Sequence, residues 1–345
     1  MFASASSVAE CLSFVGSAWT EFDLGNDISI IVTACGGRVF GPFLRGEDAT
    51  GWISPAFASL QAFARLYGNR DWALGGERLW VSPELAYFVE DRNRYLETLN
   101  VPVAIDPGGY ALKTSATAVE LSQTCVHVRN GRSRQLRMNR AFSKRDAALW
   151  TPRRDVACAG YRQVVNIFSD DAATPAAPWI IRQIAPRGTV IVPVQPGACA
   201  EPFFGRAPQD RLRESNGAIR VAIDNRETFK IAIRARDGSG RIGYLRFRDQ
   251  LATLLCYRFE QSAEGDYYDE PADKPGMVGF SSFVFQDDGA FGGYGEIEFV
   301  GRDLGIDEDG QRHGQLIADL WVAEGELGSV KALAVDEFGT DIADV

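Results

Sequence analysis

The chain has 345 residues, 46% of them hydrophobic and 24% charged, with a formal net charge of −10. That composition builds a large globular core and argues against duplex nucleic acid and anionic membranes as partners, because both need clustered Lys and Arg. The densest basic run, Arg129 to Arg145, reads as a hairpin pair and not as a groove-reading helix. Six widely spaced cysteines (11, 35, 125, 158, 199 and 256) form no CxxC pair and need not be disulfides; several, such as Cys256 in Leu254-Leu255-Cys256-Tyr257, sit in apolar stretches and read as small core residues. No basic, then apolar leader segment stands at the start, and no apolar run reaches the ~18 residues of a membrane span. A reducing, cytoplasmic location is the expectation.

Ser7 to Trp19 carries the clearest helical period, with Val8, Leu12, Val15 and Trp19 on one face and Ser6 or Ser7 as cap. The period then shortens. Ile28 to Thr33 and Val39-Phe40, joined through Gly36-Gly37, read as a hairpin. Ala56 to Tyr67 is a second helix candidate. Thereafter short apolar runs recur between turn residues: 101–105, 111–114, 118–121, 164–168, 189–194, 219–223, 229–235, 242–247, 251–259, 280–285, 295–300 and 316–322. Many short strands without helices between them predict an all-β, mainly antiparallel sandwich. No repeat or dividing linker is apparent, so residues 1–345 are expected to form a single domain, with residues 1–20 as a helix packed on it. Asp170 to Pro178 reads either as a linker or as a long hairpin loop.

Several motifs fail on context. Gly238-Ser239-Gly240-Arg241-Ile242-Gly243 matches the dinucleotide pattern, but the residues after it alternate like a strand, so Asp237-Gly238 is expected to be a hairpin turn. Asp307 to Gly310 is a fragment of a calcium loop and reads as a solvated turn. With only His127 and His313, a His-rich metal site is excluded and no cofactor is expected. His127 reads as an edge-strand side chain before an Asn130-Gly131 turn, and His313 as a solvated loop residue.

The most unusual stretch is Gly75-Gly76-Glu77-Arg78-Leu79-Trp80-Val81-Ser82-Pro83-Glu84. In an extended chain Arg78, Trp80 and Ser82 share one face, with Leu79 and Val81 on the other. That sets a guanidinium beside an indole, a pair suited to sugar hydroxyls and to the C–H face of a pyranose. Pro83 ends the ladder and would throw Glu84 into a cleft. The competing reading is a structural Arg–Glu pair beside a core Trp. Asp266-Tyr267-Tyr268-Asp269-Glu270-Pro271 is a second polar and aromatic cluster, able either to wall a cleft or to cover the core edge.

This segment resembles the GG-x-R-x-W-x-x-PE signature of uncharacterised bacterial families in the galactose mutarotase-like superfamily. Further stretches resemble theirs in order: Val32 to Val39 after the first helix, Gly46-Glu47-Asp48 with Gly51-Trp52-Ile53, Asn166 to Ile180 with Gly188 to Pro193 as a central hairpin, and Tyr294-Gly295-Glu296-Ile297-Glu298 as a late acidic strand. The resemblance implies a large antiparallel supersandwich with a carbohydrate cleft on its concave face. Mutarotases of this fold use a Glu base on the anomeric hydroxyl and a His acid on the ring oxygen. The resemblance points to Glu296 as catalytic, with Glu298 beside it, and to Glu84 as a second catalytic carboxylate. Arg78, Trp80, Glu298, Arg38, Tyr268 and Asp269 are the expected substrate-binding residues. The His motif is missing. The expectation is therefore a carbohydrate-active protein with epimerase-like chemistry; alternatives are a non-catalytic carbohydrate-binding or sensing protein, a glycoside hydrolase using Glu84 and Glu296, and a blocked-cleft structural protein. Expected partners are mono- or oligosaccharides, with no nucleic acid and no membrane.

Overall fold

The computed structural model describes residues 4–129, 131–145, 150, 153, 155–215 and 217–339. Two antiparallel sheets face each other. The first has ten described strands, in the order Trp19–Gly25, Ile28–Thr33, Val39–Leu44, Glu77–Ser82, Ala177–Ile184, Gly295–Val300, Phe280–Gln286, Phe229–Arg234 and Glu201–Phe204, with Glu47–Asp48 beside Val39–Leu44. The second has eleven, in the order Leu212–Ser215, Ala218–Ile223, Gly188–Pro193, Arg241–Arg248, Leu251–Phe259, Arg312–Glu326, Val156–Ser169, Arg132–Arg145, Ala118–Arg129 and Ala111–Thr114, with Arg302–Ile306 beside Arg312–Glu326. The expected all-β sandwich is present, and its main apolar cluster draws on both sheets.

Sandwich topology corrects several local expectations. Residues 170–176 are neither linker nor hairpin loop: they carry the chain from Val156–Ser169 in the second sheet to Ala177–Ile184 in the first. The central pair Ala177–Ile184 and Gly188–Pro193 is likewise a change of sheet and not a hairpin, as is the Asp237-Gly238 turn between Phe229–Arg234 and Arg241–Arg248. Short turns look alike in sequence whether the next strand pairs with the last or crosses the core. Residues 101–105 form turns, with Ile105 N–H donating to the Pro102 carbonyl, where a strand was expected. The Asn130 half of the predicted Asn130-Gly131 turn lies outside the described residues, though the flanking strands do pair.

The first helix runs Ala5–Phe14, shorter than its apolar period. Ser4 caps it and Ser7 reciprocates, in a capping box one turn earlier than expected. Gly16, at φ 69°, turns the chain, and Trp19 opens a strand. The second candidate splits into a 3₁₀ turn, Pro55–Ala58, and a helix, Leu60–Gly68, capped by Ser59. A closing helix, Leu327–Phe338, was missed. Val330, Leu333, Ala334 and Phe338 lie at helical spacing and cover the outer face of the second sheet. No helix is long and apolar enough to cross a membrane among the described residues, and all six cysteines are free.

The interior also holds charge. Glu77, fully buried, extends from the first sheet and accepts hydrogen bonds from Arg140, Tyr257 and Tyr161, on three different strands of the second. Arg140 donates further to the Gly37 carbonyl at 2.9 Å and to Gln163 Oε1 at 3.0 Å. Arg182, also fully buried, pairs across the first sheet with Glu77 in register. Removing one member of such a cluster strands an uncompensated charge in low dielectric. Glu77→Ala is therefore expected to destabilise the fold by about 3–5 kcal/mol in urea unfolding, whereas Glu120→Ala on an exposed strand position should fall within ~0.5 kcal/mol of the parent.

Candidate functional site

Gly75 and Gly76 lead into the Glu77–Ser82 strand with φ of 90° and 71°. A Cβ at Gly75 would lie 2.6 Å from both the Ile53 Cα and the Trp52 carbonyl oxygen, so glycine is required there. Strand alternation then does the sorting. Glu77 turns toward the second sheet, while Arg78 and Trp80 turn outward into a cleft. The strand stops at Pro83, and Glu84 opens a one-turn helix, Glu84–Tyr87, with its side chain in the same cleft.

The strands Ala177–Ile184, Gly295–Val300 and Phe229–Arg234 complete the cleft floor. Ile181 sits between Arg78 and Glu298 in register, and Gln183 lies opposite Glu296. Arg78 Nη2 donates to Glu296 Oε1 at 2.8 Å, and Gln183 Nε2 reaches the same oxygen at 3.2 Å. Lys230 Nζ lies 2.9 Å from Glu298 Oε2 and 3.3 Å from Glu84 Oε2. Trp179 Nε1 donates to Glu298 Oε2 at 3.0 Å. Three carboxylates thus face two cations, all five side chains buried. Arg78 Nε and Nη1 have no hydrogen-bond partner among the described residues.

The walls are apolar. Trp72, Trp179, Tyr294 and Phe285 flank the floor, Leu96, Leu99 and Val101 line one side, and Phe204 and Phe291 line another. The Arg78 guanidinium lies 4.2 Å from the Trp80 ring and 5.1 Å from that of Trp72. Lys230 Nζ lies 4.5 Å from the Trp179 ring.

Burial sets the electrostatics. Desolvation pushes the Glu298 carboxyl from 4.5 up to about 7, against the pull of Lys230, and Glu296 provides further upward pressure. Glu296 is raised as well, chiefly by desolvation and opposed by Arg78 and Lys230. Lys230 is held firmly protonated: the pull of Glu298 and Glu84 outweighs its own desolvation.

The structure brings Glu84, Glu296, Glu298, Arg78 and Trp80 into one cleft. Trp80 offers little free ring face, since Phe88 stacks on it at 4.5 Å and Arg78 lies against it. The other three expected binding residues stand elsewhere. Arg38 is fully buried behind the cleft, paired with Asp106 at 2.9 Å, and Asp106 in turn accepts from Trp80 Nε1 at 2.8 Å. Asp269 lies beneath the floor, where Ser82 Oγ donates to it and Glu84 N–H reaches it at 2.7 Å; desolvation pushes its carboxyl up to about 6. Tyr268 lies outside the cleft, its hydroxyl 3.4 Å from Arg312 Nη2. Neither histidine lines the cleft. His127 is buried, with Nε2 3.0 Å from the Tyr87 carbonyl oxygen. His313 belongs to the Arg312–Glu326 strand and not to a solvated loop, stacked on Phe168 at 4.4 Å.

Sequence reasoning missed Lys230, Gln183, Trp72 and Trp179. Phe229-Lys230-Ile231-Ala232-Ile233 did alternate, and a lone Lys in an otherwise apolar strand was the available signal.

No family model matches the sequence, and no curated protein does. Solved structures do. A galactose mutarotase-like protein from Lactobacillus casei ATCC 334 superposes with a TM-score of 0.51 at 9% identity, over 88% of this chain and 100% of that one. An aldose epimerase homologue from C. elegans gives 0.44 at 8%, over 90% of this chain and 99% of that one. A galactose mutarotase related enzyme from Lactobacillus acidophilus gives 0.41 at 8%, over 90% and 98%. Two facing antiparallel sheets, a cleft on the first, and the match over 88% of the chain to the first of these structures give one conclusion: the chain has the galactose mutarotase-like fold.

Proposed function

We propose that the cleft binds a sugar and moves protons at its anomeric centre. The observation that carries this reading is the adjacent pair Glu296 and Glu298, two residues apart on one strand face, both raised by burial between aromatic walls. A carboxyl near 7 is present in both protonation states at neutral pH, the condition for general acid–base work. In this scheme Glu296 takes the proton of the anomeric hydroxyl. Protonated Glu298 gives its proton to the ring oxygen. The C1–O5 bond breaks to the open aldehyde, which rotates about C1–C2, and the reverse transfers reclose the ring on either face. Arg78 Nε and Nη1 supply donors for sugar oxygens.

A specific observation favours a second reading, sugar binding without turnover. No imidazole enters the cleft, and each of its carboxylates already faces a cation. Polarimetry of freshly dissolved anomers separates the two. Under the catalytic reading the protein accelerates mutarotation of at least one aldose, and Glu296→Gln lowers that rate by about 10²–10⁴-fold while ligand-induced thermal stabilisation persists. Stabilisation by sugars without acceleration selects the binding reading. Absence of both across aldoses and short oligosaccharides contradicts the sugar assignment.

The Glu298 shift also predicts a pH dependence. A carboxyl raised by folding contributes stability that is full below about 4.5 and is lost as pH rises through about 7. Glu298→Gln lacks that titration. The stability of the variant minus that of the parent should therefore increase between pH 4.5 and pH 7.5 in urea unfolding. A constant difference would show that Glu298 titrates normally in the folded chain, and a falling one that folding lowers its carboxyl; either contradicts the raised value.

A further inference from the structure

The charged side chains of the cleft lie on its floor. Its mouth is built from Leu96, Leu99 and Val101 on one side and Phe204 and Phe291 on another. Leu96 and Phe291 are 55% and 46% exposed, among the most exposed large apolar side chains described. Isolated exposed apolar residues need no explanation, but here they cluster on the rim of one concavity that continues down to buried charges. A fully hydroxylated monosaccharide would satisfy the floor and leave Leu96 and Phe291 in water. Leu99, Val101 and Phe204 are partly buried against the main core, whereas Leu96, on the single helical turn Tyr95–Thr98, and Phe291 stay largely exposed.

Resting on the sugar reading given above, we infer that the natural ligand is a sugar bearing an apolar group. The polar ring lies on the Arg78, Glu296 and Glu298 floor, and the apolar group lies against Leu96, Leu99, Val101 and Phe291. Burying an aryl-sized group removes enough apolar surface from water, on both ligand and rim, to raise affinity by at least about tenfold. The floor orients and the rim contributes affinity, the usual division in small-molecule clefts.

Matched probes test this by calorimetry or thermal shift: hexoses against their 4,6-O-benzylidene acetals, and methyl against p-nitrophenyl hexosides. The two sets place the apolar group at opposite ends of the ring. The inference expects at least one substituted probe to bind about tenfold or more tightly than its parent. It expects that ratio to fall toward one in Leu96→Ser and Phe291→Ser, which alter exposed side chains and should leave the fold intact. Equal affinities for parent and substituted sugars would overturn the inference and leave the sugar reading standing. A ratio that survives both substitutions would overturn it too, because the apolar group would then lie elsewhere. Failure of every probe to bind would overturn both readings.

Discussion

The bridge from Glu77 to Arg140 ties the two sheets together at the point where the cleft is built. Glu77 is one residue before Arg78, and a strand sends successive side chains to opposite faces. Fixing Glu77 inward against Arg140, Tyr161 and Tyr257 therefore fixes Arg78 outward beside Glu296. A slip of one residue would bury Arg78 among apolar side chains and expose Glu77 in the cleft, so the ion cluster specifies register as well as cohesion. Replacement of such clusters by apolar residues is often tolerated energetically, which makes register the stronger physical reason for keeping charge here.

The cleft floor follows the same economy of charge. Glu84, Glu296 and Glu298 would repel one another in a low-dielectric pocket. Arg78 and Lys230 offset most of that repulsion, and the raised Glu298 carboxyl accommodates the rest by holding a proton part of the time. A second layer holds these groups in place. Asp269 anchors the start of the Glu84 helix, and the Arg38–Asp106 pair fixes the Trp80 indole. Arg38 and Asp269 therefore support the cleft from behind, a placement that neither the resembling Val32–Val39 segment nor the Asp266–Pro271 cluster could reveal without the tertiary structure.

Much of this was legible in the sequence, and the reasons differ by element. The many short alternating runs gave the all-β class because period 2 survives whichever partner a strand takes. Two-residue spacing was enough to put Arg78 with Trp80, and Glu296 with Glu298, on one strand face each, because that needs no tertiary information; that the two pairs meet in one cleft was implied only by the resemblance. Lys230 was not, since its role depends on the Phe229–Arg234 strand bringing it toward Glu298 and Glu84, long-range neighbours that no local pattern encodes. The changes of sheet at residues 170–176 and at Asp237-Gly238 were hidden for the same reason. The closing helix was hidden because it follows the Arg312–Glu326 strand directly, with no side-chain cap at Glu326 to announce it.

The central claim is that a sugar occupies the cleft on the first sheet, and the indole N–H signals of the protein report on it directly. Of the seven tryptophans, Trp72, Trp80 and Trp179 line the cleft, whereas Trp150 and Trp321 pack behind the second sheet. In a ¹H–¹⁵N titration with a bound sugar, the account predicts that the Trp179 indole N–H, which donates to Glu298, shifts with ligand, accompanied by Trp72 or Trp80, while Trp150 and Trp321 stay in place. Saturable shifts confined to Trp150 and Trp321, or to none of the seven, would contradict it.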